Sequence, residues 1–380
     1  MTKFDKDDLL DEATKRTGLT DYGDLALEEP LGVLLNSLDH EADLTPARRE
    51  HHRQNIMRVL EKRLRLVDDR KTYPEIAQQE IKAPIFIVGL PRTGSTHLHA
   101  LMALGVGVRS PLHWEMMMPS PPPQKETFTT DPRIAEVQAM VAKTSSELMK
   151  RHPFDAQRPE QCWGLFDWTF MNYSLLSGDG LPTYRDWLLN ADFADMYEAH
   201  RRTLQQLHWR NPGRWVLKLP KHVFTMDSLI RTYPDAGIVW THRDPGSVLP
   251  SAASFVGKIR SASSNYDSWR FGLEWTSFEE LGLHRGLAAR DQLGDRLKVC
   301  DVHYNDLMRD PSGTVGQIYS FFGHPYDDET RGRIAEWMAK NPQTKHGMHS
   351  YTAEQFGLSE AGLRRRFAAY IERFGVEPDA

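Results

Sequence analysis

Cysteine is nearly absent from this chain: only Cys162 and Cys300 occur in 380 residues. That excludes a disulfide framework and a four-cysteine zinc site. Long apolar runs are missing as well. No stretch approaches the roughly 18 residues that a membrane-spanning helix needs. The opening MTKFDKDDLLDEATKR is charged and lacks the apolar segment of a secretory signal, so the expected protein is soluble and cytoplasmic. There is no basic surplus either. A net charge of -5 argues against broad nucleic-acid binding. Histidine is plentiful, with 16 copies, yet no HxxxH or HExxH spacing falls on an expected helix. His51-His52 and the HGMH at 346–349 are read as surface or nucleotide-proximal, and no metal is expected. What is present is ordinary globular composition, 40% apolar and 26% charged. The length suffices to bury a substantial core.

Leu9, Leu10 and Ala13, then Leu27, Leu31, Leu34 and Leu35, then Ile56, Leu60, Leu64 and Leu66 recur at roughly helical spacing through residues 1–72. Thr45-Pro46 is a helix start, with proline at the first helical position. APIFIVGL reads as a buried strand, and RWVLK (214–218), AGIVWTHR (236–243) and LKVCDVHY (297–304) are further strand candidates. Helical segments separate them, as in the right-handed crossovers of a parallel sheet. PSPPPQ at 119–124 is a rigid connection, and residues 131–210 read as helical. No internal repeat is visible.

The segment PIFIVGLPRTGST (84–96) has Gly89 and Gly94 at the spacing of a Walker A loop, but Ser95 stands where its lysine belongs. A strand running through a glycine turn into a helix aims backbone N–H groups at an anion. Ser95 and Thr96 add hydroxyls, and Arg92 is the only cation in the loop. Its guanidinium suits a phosphate or sulfonate. With neither the lysine nor a convincing Walker B aspartate, the metal-dependent triphosphate reading loses its two supports. A second segment, IVWTHRDPGSVLPSAASF (238–255), carries Arg243 at a strand end and Ser251 two helical turns later.

LPRTGSTHL resembles the 5′-phosphosulfate loop of the PAPS-dependent sulfotransferases, typically PKSGTT or PRSGTT. RDPGSVLPS resembles their 3′-phosphate segment. YNDLMRDPSGTVGQIYSFFG (304–323) is similar to the family's Tyr-Glu-Asp-Leu, Asp-Pro, Phe-Leu-Gly block. The matches lie in the family's order over about 84–105 and 214–323, and the helical prefix with WVLKLPKH resembles the bacterial branch. The resemblance implies a three-layer α/β sandwich with a parallel sheet of about five strands and a P-loop-like phosphate site. It implies a metal-independent enzyme that moves a sulfuryl group from PAPS and releases adenosine 3′,5′-bisphosphate. Arg92, Thr93, Gly94, Ser95 and Thr96 would hold the 5′ end, and Arg243 and Ser251 the 3′-phosphate. Lys345 and Gly347, in KHG, match the family's Arg-Lys-Gly segment. His97 stands where cytosolic relatives have tryptophan at the adenine.

In this reading Arg92 and Lys218, which aligns with a family lysine, meet the charge that grows on the bridging oxygen. The acceptor needs a general base. Glu115, 23 residues after Arg92, stands near the catalytic glutamate of relatives acting on tyrosyl proteins and sugars. His222 lies two residues off the catalytic histidine of the cytosolic enzymes. Glu115 is preferred, with His222 close behind. Trp163, Phe166, Trp168, Phe170, Tyr173, Tyr184 and Trp187 read either as core or as the wall of an apolar pocket. The second reading gives a hydrophobic alcohol or phenol as acceptor. The alternatives are a small-molecule kinase on a degenerate P-loop and a catalytically silent nucleotide-binding protein. The expected organisation is a helical extension over 1–78, the α/β domain over 79–345 with a helical acceptor-side insertion at about 124–210, and a loop and helix over 346–380. Ser359 caps that last helix, which packs on the domain or, in the minority reading, on a second copy.

Overall fold

Three of the expected strands are built on apolar runs, and the pleat divides each run between two faces of one sheet, while the fourth, LKVCDVHY, mixes apolar and charged residues. In the computed structural model, which describes residues 3–143, 154–261, 266–341 and 351–379, five strands pair in the order β2-β3-β1-β4-β5. They are β1 (Ile85–Gly89), β2 (Val108–Arg109), β3 (Arg214–Lys218), β4 (Gly237–His242) and β5 (Lys298–His303), and all pairings are parallel. The register sets Phe86 beside Leu217 and Ile238. Phe86, Val88, Trp215, Leu217, Ile238 and Trp240 face one apolar core, while Ile85, Ile87, Val216, Val239 and Val302 face another. Helices cover both faces, giving a three-layer α/β sandwich.

The sequence reading missed one strand, β2, which is only two residues long and too short for any periodicity to mark it. Helices α1 (Lys6–Thr17), α2 (Glu28–His40) and α3 (Pro46–Thr72) form the prefix. Thr45 caps α3 by accepting from the Arg48 N–H, with Pro46 in the first turn. Leu31, Leu38, Leu60 and Leu64 are buried in the same core as Phe86 and Trp215, so the prefix is continuous with the sheet's interior. The C-terminal run is two short helices, Glu360–Arg366 and Ala368–Phe374, broken at Phe367. Ser359 caps the first, and Leu363, Phe367 and Tyr370 bury against the domain.

Chain order along the sheet changes direction around β1, which lies between β3 and β4. Ligands of open parallel sheets bind at such a switch point, outside the carboxyl ends of the strands. The loop after β1 and the Arg243 segment after β4 both lie there.

Candidate active site

Between β1 and helix α4 (Ser95–Met102) the backbone turns tightly enough to exclude side chains at two positions. Gly89 has φ +132°, and a Cβ there would stand 2.5 Å from the Thr241 carbonyl. Gly94 has φ +81°, and a Cβ would press Leu307 and Tyr304 at 3.1 Å. The third sequence block therefore matters because it closes over the loop. Thr93 turns inward: its hydroxyl donates to the Leu90 carbonyl at 2.8 Å and lies 2.6 Å from Thr241 Oγ1. Ser95 and Thr96 open α4. Arg92 has φ +67°, a left-handed conformation that costs a non-glycine residue energy and tends to persist at functional sites.

The two basic segments converge on that arginine. Arg92 Nε donates to Ser251 Oγ at 3.2 Å, and Arg243 Nη1 donates to the Arg92 carbonyl at 2.8 Å. Arg243 lies over the Tyr304 ring, 3.7 Å from its centroid. Its Nε and Nη2 grip the Asp379 carboxylate, with Nη2 at 2.6 Å. Asp244 is not its partner; that carboxylate caps the next helix and pairs with Arg364. Lys218, 2% exposed, donates to Thr96 Oγ1 at 3.3 Å. Burial pulls its ammonium down to about 8, a cost that an anion beside it would offset. Lys345 and Gly347 lie outside the described residues.

Arg92 also lines a cavity of about 700 Å³ whose wall is mostly apolar, including Met117, Val137, Phe154, Trp163, Phe170, Tyr173 and Phe255. His222 lines the same cavity. Its Nδ1 lies 2.8 Å from the Tyr197 hydroxyl, while its Nε2 has no partner among the described residues. Burial pushes the imidazole down to about 3, so it is neutral. Of the aromatic run, Trp163, Phe166, Phe170 and Tyr173 line the cavity; Trp168, Tyr184 and Trp187 do not.

Glu115 is not brought to this site, which corrects the preference for it as base. It sits in helix α5 (His113–Met117), where His113 and Met117, four apart, share the face that lines the cavity. Glu115, two residues from each, points the other way. It is 0% exposed, paired to Arg109, and accepts the Leu112 N–H at 3.0 Å. Burial raises its carboxyl while Arg109 opposes the rise.

Several lining residues escaped the sequence reading. His51, His52 and Arg58 of α3 belong to the cavity wall rather than to a remote surface, and His52 Nε2 lies 2.8 Å from Asp179. Lys221 and Glu279 pair within the wall. A helix periodicity shows which side is apolar but not that the opposite edge faces a cavity. The KHVF run after β3 was the one available signal.

This geometry has known counterparts. A profile of the sulfotransferase family matches residues 84–328. The chain belongs to the sulfotransferase family. Among solved structures, the sulfotransferase STF9 from Mycobacterium avium is 29% identical, with both chains fully covered and a TM-score of 0.90. The sulfotransferase STF1 from Mycobacterium tuberculosis H37Rv is 32% identical over 96% of this chain and 99% of that one, with a TM-score of 0.82. The omega-hydroxy-beta-dihydromenaquinone-9 sulfotransferase Stf3 of Mycobacterium bovis is 25% identical, covering 77% of this chain and 75% of the relative. This sulfotransferase is thus similar to bacterial members throughout its length, and the kinase alternative gives way. No helix among its described residues is long and apolar enough to cross a membrane.

Proposed function

We propose that this sulfotransferase takes its sulfuryl group from PAPS and delivers it to the hydroxyl of an apolar small molecule, releasing adenosine 3′,5′-bisphosphate. The observation that carries the reading is one apolar cavity sharing its wall with both Arg92 and His222. The residues fit the donor. The strand-loop-helix course of residues 89–96 puts the N-terminus of α4 beside Arg92, and Arg243 already grips a carboxylate in the way it would grip a phosphate.

In the transfer, the acceptor oxygen bonds to sulfur as the bond from sulfur to the bridging oxygen breaks. Arg92 and Lys218 stabilise the charge left on the leaving phosphate oxygen. His222 accepts the acceptor's proton at Nε2, with Tyr197 accepting from Nδ1–H to hold that tautomer. Burial keeps the ring neutral, and the negative charge of the donor raises its basicity toward a useful range. The apolar wall selects a hydrophobic alcohol or phenol. The name of the Stf3 relatives, which specifies an omega-hydroxy compound, supports an alcohol.

Calorimetric titration with adenosine 3′,5′-bisphosphate and with ATP, each with and without Mg²⁺, tests the donor site. Metal-independent bisphosphate binding supports the reading, and Mg²⁺-dependent ATP binding alone overturns it. Transfer from labelled PAPS to a panel of long-chain alcohols, phenols and sulfatable sugars then tests the acceptor class; turnover on sugars alone would reverse it.

Two substitutions separate the 3′ contacts. Arg243→Ala removes a charge-assisted contact of about 1.5–3 kcal/mol and should weaken bisphosphate binding about 10- to 100-fold. Asp379→Asn removes the competing carboxylate. The pair is partly exposed, and exposed pairs contribute about 0.2–1 kcal/mol, so binding should tighten by about fivefold. An Asp379→Asn enzyme that binds bisphosphate more weakly would mean that Asp379 organises the site instead of guarding it.

A further inference from the structure

Three side chains remote in sequence, Cys162, His200 and His222, meet beside Phe86 of β1, and none is more than 1% exposed. One ligand atom of each lies within 4.8 Å of the other two. The two imidazoles are held in the same way. His222 Nδ1 lies 2.8 Å from the Tyr197 hydroxyl, and His200 Nδ1 lies 2.7 Å from the Tyr233 hydroxyl. Both Nε2 atoms are buried without a hydrogen-bond partner among the described residues. A buried polar atom left unpaired is costly and calls for an explanation. Two imidazoles, each braced through one nitrogen and unpaired at the other, in a cluster with a thiol, form the donor pattern of a metal site.

We propose that Cys162 Sγ, His200 Nε2 and His222 Nε2 bind one Zn²⁺ ion, and that this ion switches off sulfuryl transfer. Sulfur and imidazole donors without a carboxylate suit zinc and disfavour magnesium and calcium. Around a tetrahedral zinc the ligand atoms stand about 3.3–3.7 Å apart, so the side chains close in by about 1 Å on binding. As the zinc–sulfur bond forms, the thiol proton leaves to solvent. His222 borders the large cavity, which provides the ion's route and a fourth position for water. The inhibitory half rests on the assignment of His222 as the base: an Nε2 bonded to zinc has no lone pair for the acceptor's proton.

The site is tested without the assay. Equilibrium dialysis of the metal-free full chain against Zn²⁺ should give one tight site more in the wild type than in Cys162→Ser. Co²⁺ should produce a thiolate-to-cobalt absorption band that is lost in Cys162→Ser and kept in Cys300→Ser. His200→Gln, with folding of each variant checked by thermal melting, is the second variant and should lose the same site. Equal zinc stoichiometry in wild type, Cys162→Ser and His200→Gln would overturn the proposal. In the transfer assay, Zn²⁺ should inhibit the wild type at least tenfold, reversibly with a chelator, and should spare Cys162→Ser. Cys162-dependent zinc binding that leaves transfer untouched would uphold the site and overturn both the switch and His222 as base. No binding at all would overturn the site and leave the transfer mechanism standing.

Discussion

Replacing Arg92 by alanine should lower turnover about 10²- to 10³-fold, the usual loss when one preorganised donor to a developing oxyanion is removed. The expectation follows from where the loop puts this side chain. The left-handed backbone at Arg92 and the tight approaches of Gly89 and Gly94 fix the loop's course. Ser251 and Arg243 then hold the side chain and the carbonyl from the neighbouring strand's segment. Lys218 cannot replace it fully, because its ammonium is drawn to Thr96 and is a point charge without the planar fork of a guanidinium. Arg92→Lys should recover only part of the loss, since a point charge lacks the planar fork. The affinity for adenosine 3′,5′-bisphosphate, which lacks the sulfonate, should change by less than about tenfold, since the interaction grows in the transition state. Single-turnover transfer from labelled PAPS beside bisphosphate calorimetry measures both. Full activity in Arg92→Ala would remove the loop from the chemistry.

How much of this was legible in the letters depends on how local the cause is. β1, β3 and β4 are built on buried apolar runs and formed where those runs lie, while β5, KVCDVH, is a partly exposed edge strand marked only by Val299, Cys300 and Val302. The cap at Thr45-Pro46 and the glycine spacing of the loop are likewise set within a few residues. The meeting of Ser251 and Arg92 was partly legible, because the segments end adjacent strands of one parallel sheet. Glu115 was misread because its fate depends on Arg109, on the two-residue strand β2 that carries it, and on which face of a five-residue helix turns to the cavity. None of these has a periodicity. Cys162, His200 and His222 meet only through tertiary packing of three separate elements, so motif spacing could not have found them. The α3 residues on the cavity wall were hidden for the same reason.

The largest stability effect is expected from Glu115→Ala, at about 3–5 kcal/mol, the cost of breaking a buried ion pair by removing one partner. Arg109 is 8% exposed, lies 4.5 Å from the centroid of Trp215, and donates to the carbonyls of Leu207 and Asn211. Those neutral acceptors cannot balance its charge once the carboxylate is gone. The Leu112 N–H, which opens α5, loses its acceptor in the same step. Glu115→Gln keeps an oxygen for that N–H and should cost less, which separates the cap from the charge. Urea unfolding of the full chain reads the stability, and turnover is measured well below the midpoint, where the variant remains folded. There Glu115→Ala should retain activity within about threefold, because its side chain lies on the face of α5 opposite the cavity, whereas His222→Ala should lose about 10²- to 10⁴-fold, the range for a general base. A stable Glu115→Gln enzyme without turnover, beside an active His222→Ala, would return the base to Glu115. It would also mean that α5 turns over when the acceptor binds, since a carboxylate locked to Arg109 cannot otherwise reach a substrate proton.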